Sequence, residues 1–170
     1  LFIDEKAYRN IQRGSALLNS VNNLRVAMGN SGIPFDMLMV EDAPKVLHKY
    51  KAAIFTAPRP SAEGKAAVKL CKELSIPHIS VEDENIYHST NDLRAFLVAS
   101  GVHCYNSDSC VVYCGNGILA IHTANDTDTK LTLPQKYKIK PLSDATANEF
   151  TADEININAP KHSTFIFELS

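Results

Sequence analysis

The chain contains no tryptophan among its 170 residues, and only 8% of its residues are aromatic. Tryptophan is the usual platform on which proteins stack sugar rings, so the commonest mark of a carbohydrate-binding surface is missing. An excess of one charge is missing too, because 17 basic residues face 19 acidic ones for a net charge of −2. This balance excludes the strong basic field with which proteins attract nucleic acid.

Long apolar runs are also absent. Stretches such as Ala52-Ala53-Ile54-Phe55 are far shorter than the roughly 20 apolar residues that a membrane helix needs. The sequence therefore predicts a soluble chain with neither a membrane nor a nucleic acid as partner. It does not indicate a compartment.

Several motifs that carry chemistry do not occur. There is no G-x-G-x-x-G and no G-x-x-x-x-G-K-[ST], and the loop of residues 56–60 holds two prolines, which donate no amide to a phosphate. A G-x-S-x-G nucleophile elbow and C-x2-C metal spacing are missing as well. We therefore expect no nucleotide or other cofactor, no metal and no nucleophile of the chain's own.

Four cysteines are present, which permits disulfides without requiring them. Cys71 falls on the apolar stripe of a predicted helix and is expected to be a small buried residue. Cys104 and Cys110 flank a predicted turn, so they either pair across it or, the favoured interpretation, are buried free thiols like Cys114. Zinc bound by these three and His122 is not expected, because their spacing is not that of a metal site.

The first part of the chain alternates strands with helices. Apolar runs predict strands at residues 1–3, 35–40, 52–56 and 77–81, and residues 37–40 are continuously apolar, as in a strand covered on both faces. Apolar spacing of three or four residues predicts a short helix or turn at residues 43–50, a helix at residues 62–74 that Ser61 caps, a helix at residues 91–99, and an earlier helix that Ser15 caps and Gly29 ends. The expected buried stripe of the helix at residues 62–74 consists of Ala66, Ala67, Leu70, Cys71 and Leu74. The alternation predicts a parallel sheet with helices on both faces, a three-layer flavodoxin-like α/β domain over residues 1–101.

From Val102 onward the period changes to two. Strands are predicted at residues 102–105 and 111–114, and Asn116-Gly117 is a strong hairpin signal between apolar runs. Alternating apolar positions continue to the end of the chain. Six or seven short strands predict a small antiparallel β-sandwich domain over residues 102–170.

Acidic residues follow three of the four predicted parallel strands. They are Asp4 and Glu5 after the first strand, Glu41 and Asp42 after the second, and Glu82, Asp83 and Glu84 after the fourth. A parallel sheet gathers such residues along its carboxyl edge, which suggests a sugar or cation pocket. The favoured interpretation is that these carboxylates cap helices and turns.

Tyrosines are the other candidate for binding. Tyr105, Tyr113 and Tyr137 in the β-rich part could line a carbohydrate surface. Packing in the core is the favoured interpretation.

The chain opens with Leu1-Phe2-Ile3-Asp4, without a methionine or the regions of a signal peptide. This opening is typical of a strand entered midway. We interpret the chain as a piece of a longer protein.

An ordered series of short blocks resembles a known family. The blocks are Phe2-Ile3-Asp4-Glu5-Lys6-Ala7-Tyr8, Gly32-Ile33-Pro34-Phe35-Asp36, Tyr50-Lys51-Ala52-Ala53-Ile54-Phe55, Gly101-Val102-His103-Cys104-Tyr105, Val111-Val112-Tyr113 and Gly117-Ile118-Leu119-Ala120-Ile121-His122. They are similar to the trimerisation domain and the small C-terminal β-domain that follow the catalytic barrel in family 42-type β-galactosidases. The resemblance implies a class I glutamine-amidotransferase-like fold for the first domain.

It also implies where the chemistry lies. In such enzymes two glutamates on a (β/α)8 barrel act as acid/base and nucleophile. A barrel of this kind takes about 250 residues, so this chain cannot contain it and no catalytic residue is carried over. The family's middle domain helps to assemble the oligomer, so the implied partners are an upstream barrel and further copies of the chain.

Three hypotheses follow. The leading one is a non-catalytic accessory and oligomerisation region of a β-galactosidase-like glycoside hydrolase. The second is a stand-alone carbohydrate-binding module that uses the carboxylate edge and the tyrosines. The third is a divergent amidotransferase-like enzyme, which requires a reactive cysteine.

Overall fold

The computed structural model describes residues 1–8, 16–57, 59–80, 89–108, 110–143 and 147–170. The chain divides into two compact units. The first comprises Leu1–Ala27 and Phe35–Val102, and the second comprises Met28–Pro34 and His103–Ser170. An α/β arrangement in the first and a β arrangement in the second agree with the predicted class, while the predicted domain limits of 1–101 and 102–170 stay a prediction. In the described part of the chain, no helix has the length and apolar character needed to cross a membrane.

The first unit is built on a four-stranded parallel sheet of order β2-β1-β3-β4. Its strands are β1 (Phe2–Ile3), β2 (Leu38–Met39), β3 (Ala53–Phe55) and β4 (His78–Ser80). The prediction of a fully covered strand at residues 35–40 was wrong. β2 is short and lies at the edge of the sheet, and Met37 and Met39 are each 44% exposed. Continuous apolar character therefore reflected an exposed apolar edge rather than two covered faces.

Helices occupy the predicted connections. They are α1 (Glu5–Tyr8), α2 (Ala16–Gly29), α3 (Ala43–Val46) between 3-10 turns at Val40–Asp42 and Leu47–Lys49, α4 (Ala62–Glu73) and α5 (Thr90–Ala99). The hydroxyl of Ser61 accepts from the Gly64 amide and caps α4 as predicted, whereas Ser15, the predicted cap of α2, lies outside the described residues.

The buried face of α4 is narrower than its sequence predicts. Ala67 and Cys71 are buried, Leu70 is partly covered, and Ala66 and Leu74 are exposed. A helix on the outside of a sheet turns only one stripe inward, and Ala66 and Leu74 fall beyond that stripe.

Stacked aromatic rings lie at the centre of the first core. The rings of Phe2 and Phe55, on neighbouring strands, stack with centroids 5.3 Å apart, and Tyr50 meets Phe2 edge-on at 6.5 Å. Val40, Leu47 and Cys71 are buried in the same cluster. The first strands and their helices therefore share one core.

The second unit is a five-stranded antiparallel sheet of order β5-β6-β9-β7-β8. Its strands are β5 (Val111–Gly115), β6 (Ile118–Thr123), β7 (Thr127–Pro141), β8 (Phe150–Ala159) and β9 (Ser163–Leu169). The prediction of six or seven short strands was wrong, because β7 is one strand of 15 residues whose pairing with β8 is irregular between Thr132 and Tyr137.

A predicted strand at residues 102–105 does not form. Tyr105 instead donates its amide to the Gly32 carbonyl at 2.9 Å and accepts from the Thr132 amide at 2.8 Å. These single hydrogen bonds satisfy the backbone without a ladder. The predicted hairpin at Asn116-Gly117 is confirmed, with φ of 51° and 76°.

One apolar cluster holds the second unit together. Fully buried side chains come from β6 (Leu119, Ile121) and from β7 (Leu131, Ile139), and Phe167 of β9 packs with them. Inward residues alternate along the strands, as the sequence predicted. The opposite positions are more exposed, and on β6 and β9 they include Ile118 and Ile166, each 37% exposed.

Candidate functional site

The carboxyl edge of the parallel sheet is the first candidate for a binding site. Strand β1 is flanked by β2 on one side and β3 on the other, so the strand order reverses there. Ligands in open α/β sheets bind outside the strand ends at such a switch point. Asp4 follows β1 and Thr56 follows β3 at this place.

Asp4 is the buried carboxylate of this edge. It is 1% exposed, and its Oδ1 accepts from the Ala7 amide at 3.1 Å. Its Oδ2 accepts from the Ser61 amide at 2.7 Å. Two backbone amides from different segments thus satisfy a carboxylate whose burial would otherwise be costly.

This carboxylate lies at the start of α4. Ser61 is the N-cap of that helix, and the first turn of a helix carries partial positive charge and free amides that attract anions. The place at which an anionic ligand would bind is therefore taken by the protein's own Asp4. The favoured interpretation of Asp4 as a cap agrees with these contacts.

Gly64 makes the close approach possible. A Cβ atom added at Gly64 would lie 2.3 Å from Asp4 Oδ2. No real Cβ contact is that short, so any larger residue would displace the carboxylate or the helix. Glycine is unfavourable inside a helix, and its presence in the first turn of α4 is the sequence signal for this contact.

Little room remains beside Asp4. The cavity at this position has a volume of about 10 Å³ and is lined by Thr56, Gly64 and Ser80 among others. That is about the space of one water molecule. This cavity is too small for a sugar.

Lys6 joins two carboxylates at the same edge. Its Nζ donates to Glu63 and lies 3.6 Å from Oε1 of Glu41. The hydrogen bond from Lys6 lowers the pKa of Glu63, and the same bond raises the pKa of Lys6. All three side chains are about 40% exposed, so solvent screens this cluster and limits its strength.

Tyr8 closes the edge from the side of α1. Its hydroxyl donates to the Thr56 carbonyl. Burial is the main reason that the pKa of Tyr8 is raised, so the phenol stays protonated in the neutral range. This hydrogen bond links α1 to the residue that follows β3.

The other predicted carboxylates are only partly brought together. Glu5 is exposed on α1, and Asp42 is half-buried and makes no side-chain cap for α3. Glu82, Asp83 and Glu84 lie outside the described residues. The structure therefore places Asp4 and Glu41 at the sheet edge.

Sequence reasoning missed the partners of these carboxylates. Lys6, Ser61 as a partner of Asp4, and Gly64 were not singled out. The contacts joining them span 57 residues of chain, from Asp4 to Ser61 and from Lys6 to Glu63. Local patterns do not carry such pairings.

All four cysteines are free thiols. The prediction that they are buried was wrong for Cys104, which is half-buried, and for Cys114, which is exposed on the edge strand β5. Cys71 is buried in the last turn of α4, and burial raises its pKa to about 11. Burial also raises the pKa of Cys110. A reactive cysteine needs a lowered pKa and access, so neither residue has the environment that the amidotransferase-like hypothesis requires.

The tyrosines of the second unit divide between core and surface. Tyr105 and Tyr137 pack against the apolar cluster, whereas Tyr113 is 64% exposed. Tyr105 also donates to the Cys114 thiol at 3.3 Å and meets the ring of His103 edge-on at 4.7 Å. Core packing explains Tyr105 and Tyr137.

Groups of three or more metal-ligating side chains do not occur in the described part of the chain. Comparisons of the chain with protein-family models, with curated proteins and with solved structures found no match.

Proposed function

We propose that this chain is a non-catalytic accessory and oligomerisation region of a β-galactosidase-like glycoside hydrolase whose catalytic barrel is encoded upstream. The observation that carries the proposal is that the protein's own backbone already binds the Asp4 carboxylate. Backbone amides of Ala7 and Ser61 satisfy it, and the space beside it holds about one water molecule. The best-placed acidic group of the sheet edge thus serves folding rather than chemistry.

The resemblance supports the same proposal. Its first block spans β1 and α1, its third ends on β3, and its last covers the hairpin glycine and β6. The similar residues therefore lie on core elements of both units.

The finer fold belongs to this proposal. We propose a flavodoxin-like, amidotransferase-like arrangement for the first unit, supported by the strand order β2-β1-β3-β4. For the second unit we propose a sandwich. It is supported by the single cluster that Ile121 of β6 and Leu131 of β7 share, although β6 and β7 are not neighbours in the sheet.

An apolar sheet edge supports the oligomerisation role. Met37 and Met39 are exposed on and beside β2, which has β1 on one side and no described strand on the other. An unpaired edge with apolar side chains is a template for pairing between chains.

Sedimentation velocity tests this role. We expect the purified chain to sediment as a species heavier than its 18.7 kDa monomer, and Met39→Lys to shift it towards monomer. Val98→Lys is the matched control, because Val98 is 49% exposed but lies on α5. A monomer at every concentration, or an equal effect of both variants, contradicts the oligomerisation role.

A hydrolysis assay tests the non-catalytic role. We expect no turnover of a nitrophenyl β-galactoside by the purified chain, and a barrel with two suitably placed glutamates in the coding sequence before Leu1. Turnover at an enzyme-like rate that purifies with the chain would show the proposal to be wrong.

A further inference from the structure

A groove with a volume of about 510 Å³ opens in the second unit beside β8 and β9. The turn at residues 160–162 joins these two strands, yet they are not neighbours in the sheet, because β8 pairs with β7 and β9 with β6 and β7. Consecutive residues of both strands line the groove. Its volume is in the range of about 300–1,000 Å³ that is typical of small-molecule sites.

Apolar side chains form the floor of the groove. Ile155, Ile157 and Phe167 line it and are 5%, 3% and 5% exposed. Two further rings line it nearer to solvent, since Phe150 is 39% exposed and Phe165 is partly buried. Exposed ring faces next to an apolar floor bind flat, apolar surfaces of a ligand.

Uncharged polar residues alternate with the apolar residues of the lining. Asn156 and Asn158 come from β8, and Ser163 and Thr164 come from β9. The Thr164 hydroxyl lies 2.9 Å from Nδ1 of His122, the residue opposite it on β6. Amides and hydroxyls donate and accept hydrogen bonds without carrying charge.

The lining carries no charged side chain among the described residues. The described lining therefore offers no direct ion pair to a carboxylate or phosphate ligand. Apolar ring faces together with neutral donors and acceptors match a pyranose, whose faces are apolar and whose rim is made of hydroxyls.

We propose that this groove binds a neutral saccharide of one or two pyranose units. The site differs from the carboxylate edge and from the surface of Tyr105, Tyr113 and Tyr137 that the sequence suggested. It goes beyond the accessory role, because it stands whether or not the chain follows a catalytic barrel.

Titration of the full-length, isotope-labelled chain with lactose, maltose and cellobiose tests the proposal. We expect saturable binding of at least one disaccharide with a Kd on the order of 1 mM, and amide shifts that map to β8 and β9. 3′-Sialyllactose, which adds a carboxylate to lactose, is expected to bind no more tightly than lactose, because the described lining offers that carboxylate no ion pair. Flat titrations with all three disaccharides at 50 mM, or shifts that map elsewhere, overturn the proposal.

Matched variants locate the site. Phe150→Ala is expected to weaken binding about tenfold, since it removes an exposed ring from the groove. Tyr113→Ala removes an exposed ring from outside the groove and is expected to leave the Kd unchanged. The reverse result overturns the assignment.

A second variant tests whether misfolding, rather than loss of a contact, explains weaker binding. Asn156→Asp keeps the size of an exposed side chain and is expected to weaken binding several-fold while leaving the thermal midpoint unchanged. Unchanged affinity in both Phe150→Ala and Asn156→Asp contradicts the proposal. Neither hydrolysis nor sedimentation enters this test, so its failure is distinct from failure of the accessory role.

Discussion

At the scale of single residues, the sheet edge depends on the contact between Asp4 and Gly64. The carboxylate can receive the Ser61 amide only because no Cβ stands at Gly64. The two residues are 60 positions apart, so each alone looks like an ordinary acid or an ordinary glycine. Their energetic contributions are therefore expected to be coupled.

A double-mutant cycle measures that coupling. Gly64→Ala is expected to destabilise the wild-type chain by roughly 1–2 kcal/mol, because the clash with Asp4 Oδ2 exceeds the gain in helix propensity. Asp4→Ala is expected to cost about 2–4 kcal/mol, since it leaves buried amides without an acceptor. In the Asp4→Ala background, Gly64→Ala should be neutral or stabilising when urea unfolding is measured.

Lys65→Ala is the control for this cycle, because Lys65 is exposed on the same turn and should change stability by less than about 0.5 kcal/mol. An equal effect of Gly64→Ala in both backgrounds contradicts the proposed contact.

The ion pairs of Lys6 predict a pH dependence. The pKa of Glu63 is lowered, so its stabilising effect is present above the ordinary Glu pKa of about 4.3 and is lost as pH falls through the lowered value. The pKa of Lys6 is raised, so its effect is present below its ordinary value of 10.5 and is lost as pH rises through the raised one. Lys6→Met should therefore lower the thermal midpoint between about pH 5 and pH 10.

The difference between Lys6→Met and the wild type should shrink below about pH 4 and in high salt. Lys69→Met removes an exposed i,i+4 pair with Glu73 and serves as the control. A difference that persists unchanged to pH 2 means that Lys6 acts through packing rather than charge.

At the scale of elements, the hairpin between β5 and β6 is the feature that local sequence specifies best. Asn116 and Gly117 both have positive φ, the requirement of a type I′ turn. The Gly117 carbonyl also accepts from the Leu169 amide at 2.7 Å, which links this turn to the last strand.

Gly117→Ala should destabilise the chain by roughly 1–2 kcal/mol, because an L-residue is strained at a φ of 76° and its Cβ would lie 3.2 Å from the Leu169 carbonyl oxygen. Gly115→Ala is the matched control. Its added Cβ would meet nothing within 4 Å, so stability should change by less than about 0.5 kcal/mol. Urea unfolding of the two variants gives the comparison, and equal losses contradict the role of the turn.

Other elements were predicted correctly or wrongly for physical reasons. The cap of α4 at Ser61 was predicted correctly, because an N-cap depends only on residues that are near neighbours in the sequence. The strand at residues 35–40 was wrongly predicted to be covered on both faces. Apolar residues in a strand do not show whether another part of a protein covers them. Residues 102–105 pair through isolated bonds to Gly32 and Thr132, and no local period encodes those.

At the scale of the whole molecule, the reactivity of the thiols measures how well each unit is folded around them. Cys71 is buried in the first unit and Cys110 in the second, and burial raises the pKa of each. Cys114 is exposed. Protected thiols react with alkylators only when their surroundings open.

Alkylation with iodoacetamide at pH 8 should modify Cys114 first and Cys71 and Cys110 at least about a hundredfold more slowly. Mass spectrometry of digested samples gives each rate, and all four thiols should react in denaturant. Cys114→Ser should remove the fast phase. Fast labelling of Cys71 in the native chain would contradict its burial and would favour the amidotransferase-like alternative.

The sequence by itself determined the class of the chain and most of its local elements. Alternation of strands and helices before Val102, the period of two after it, and the Asn116-Gly117 turn all act between near neighbours, where side-chain direction follows backbone geometry. Length and the missing motifs likewise excluded a catalytic barrel or phosphate loop from residue types alone.

Only the tertiary structure decided how the candidate sites are built. The capture of Asp4 by α4, the bridge from Lys6 to Glu41 and Glu63, and the groove beside β8 and β9 each bring together residues from separate strands or helices. Such meetings depend on strand order and packing, which short-range periodicity does not contain. Asp4, one of the carboxylates that the sequence suggested as a binding site, instead joins β1 to the start of α4 at this edge of the sheet.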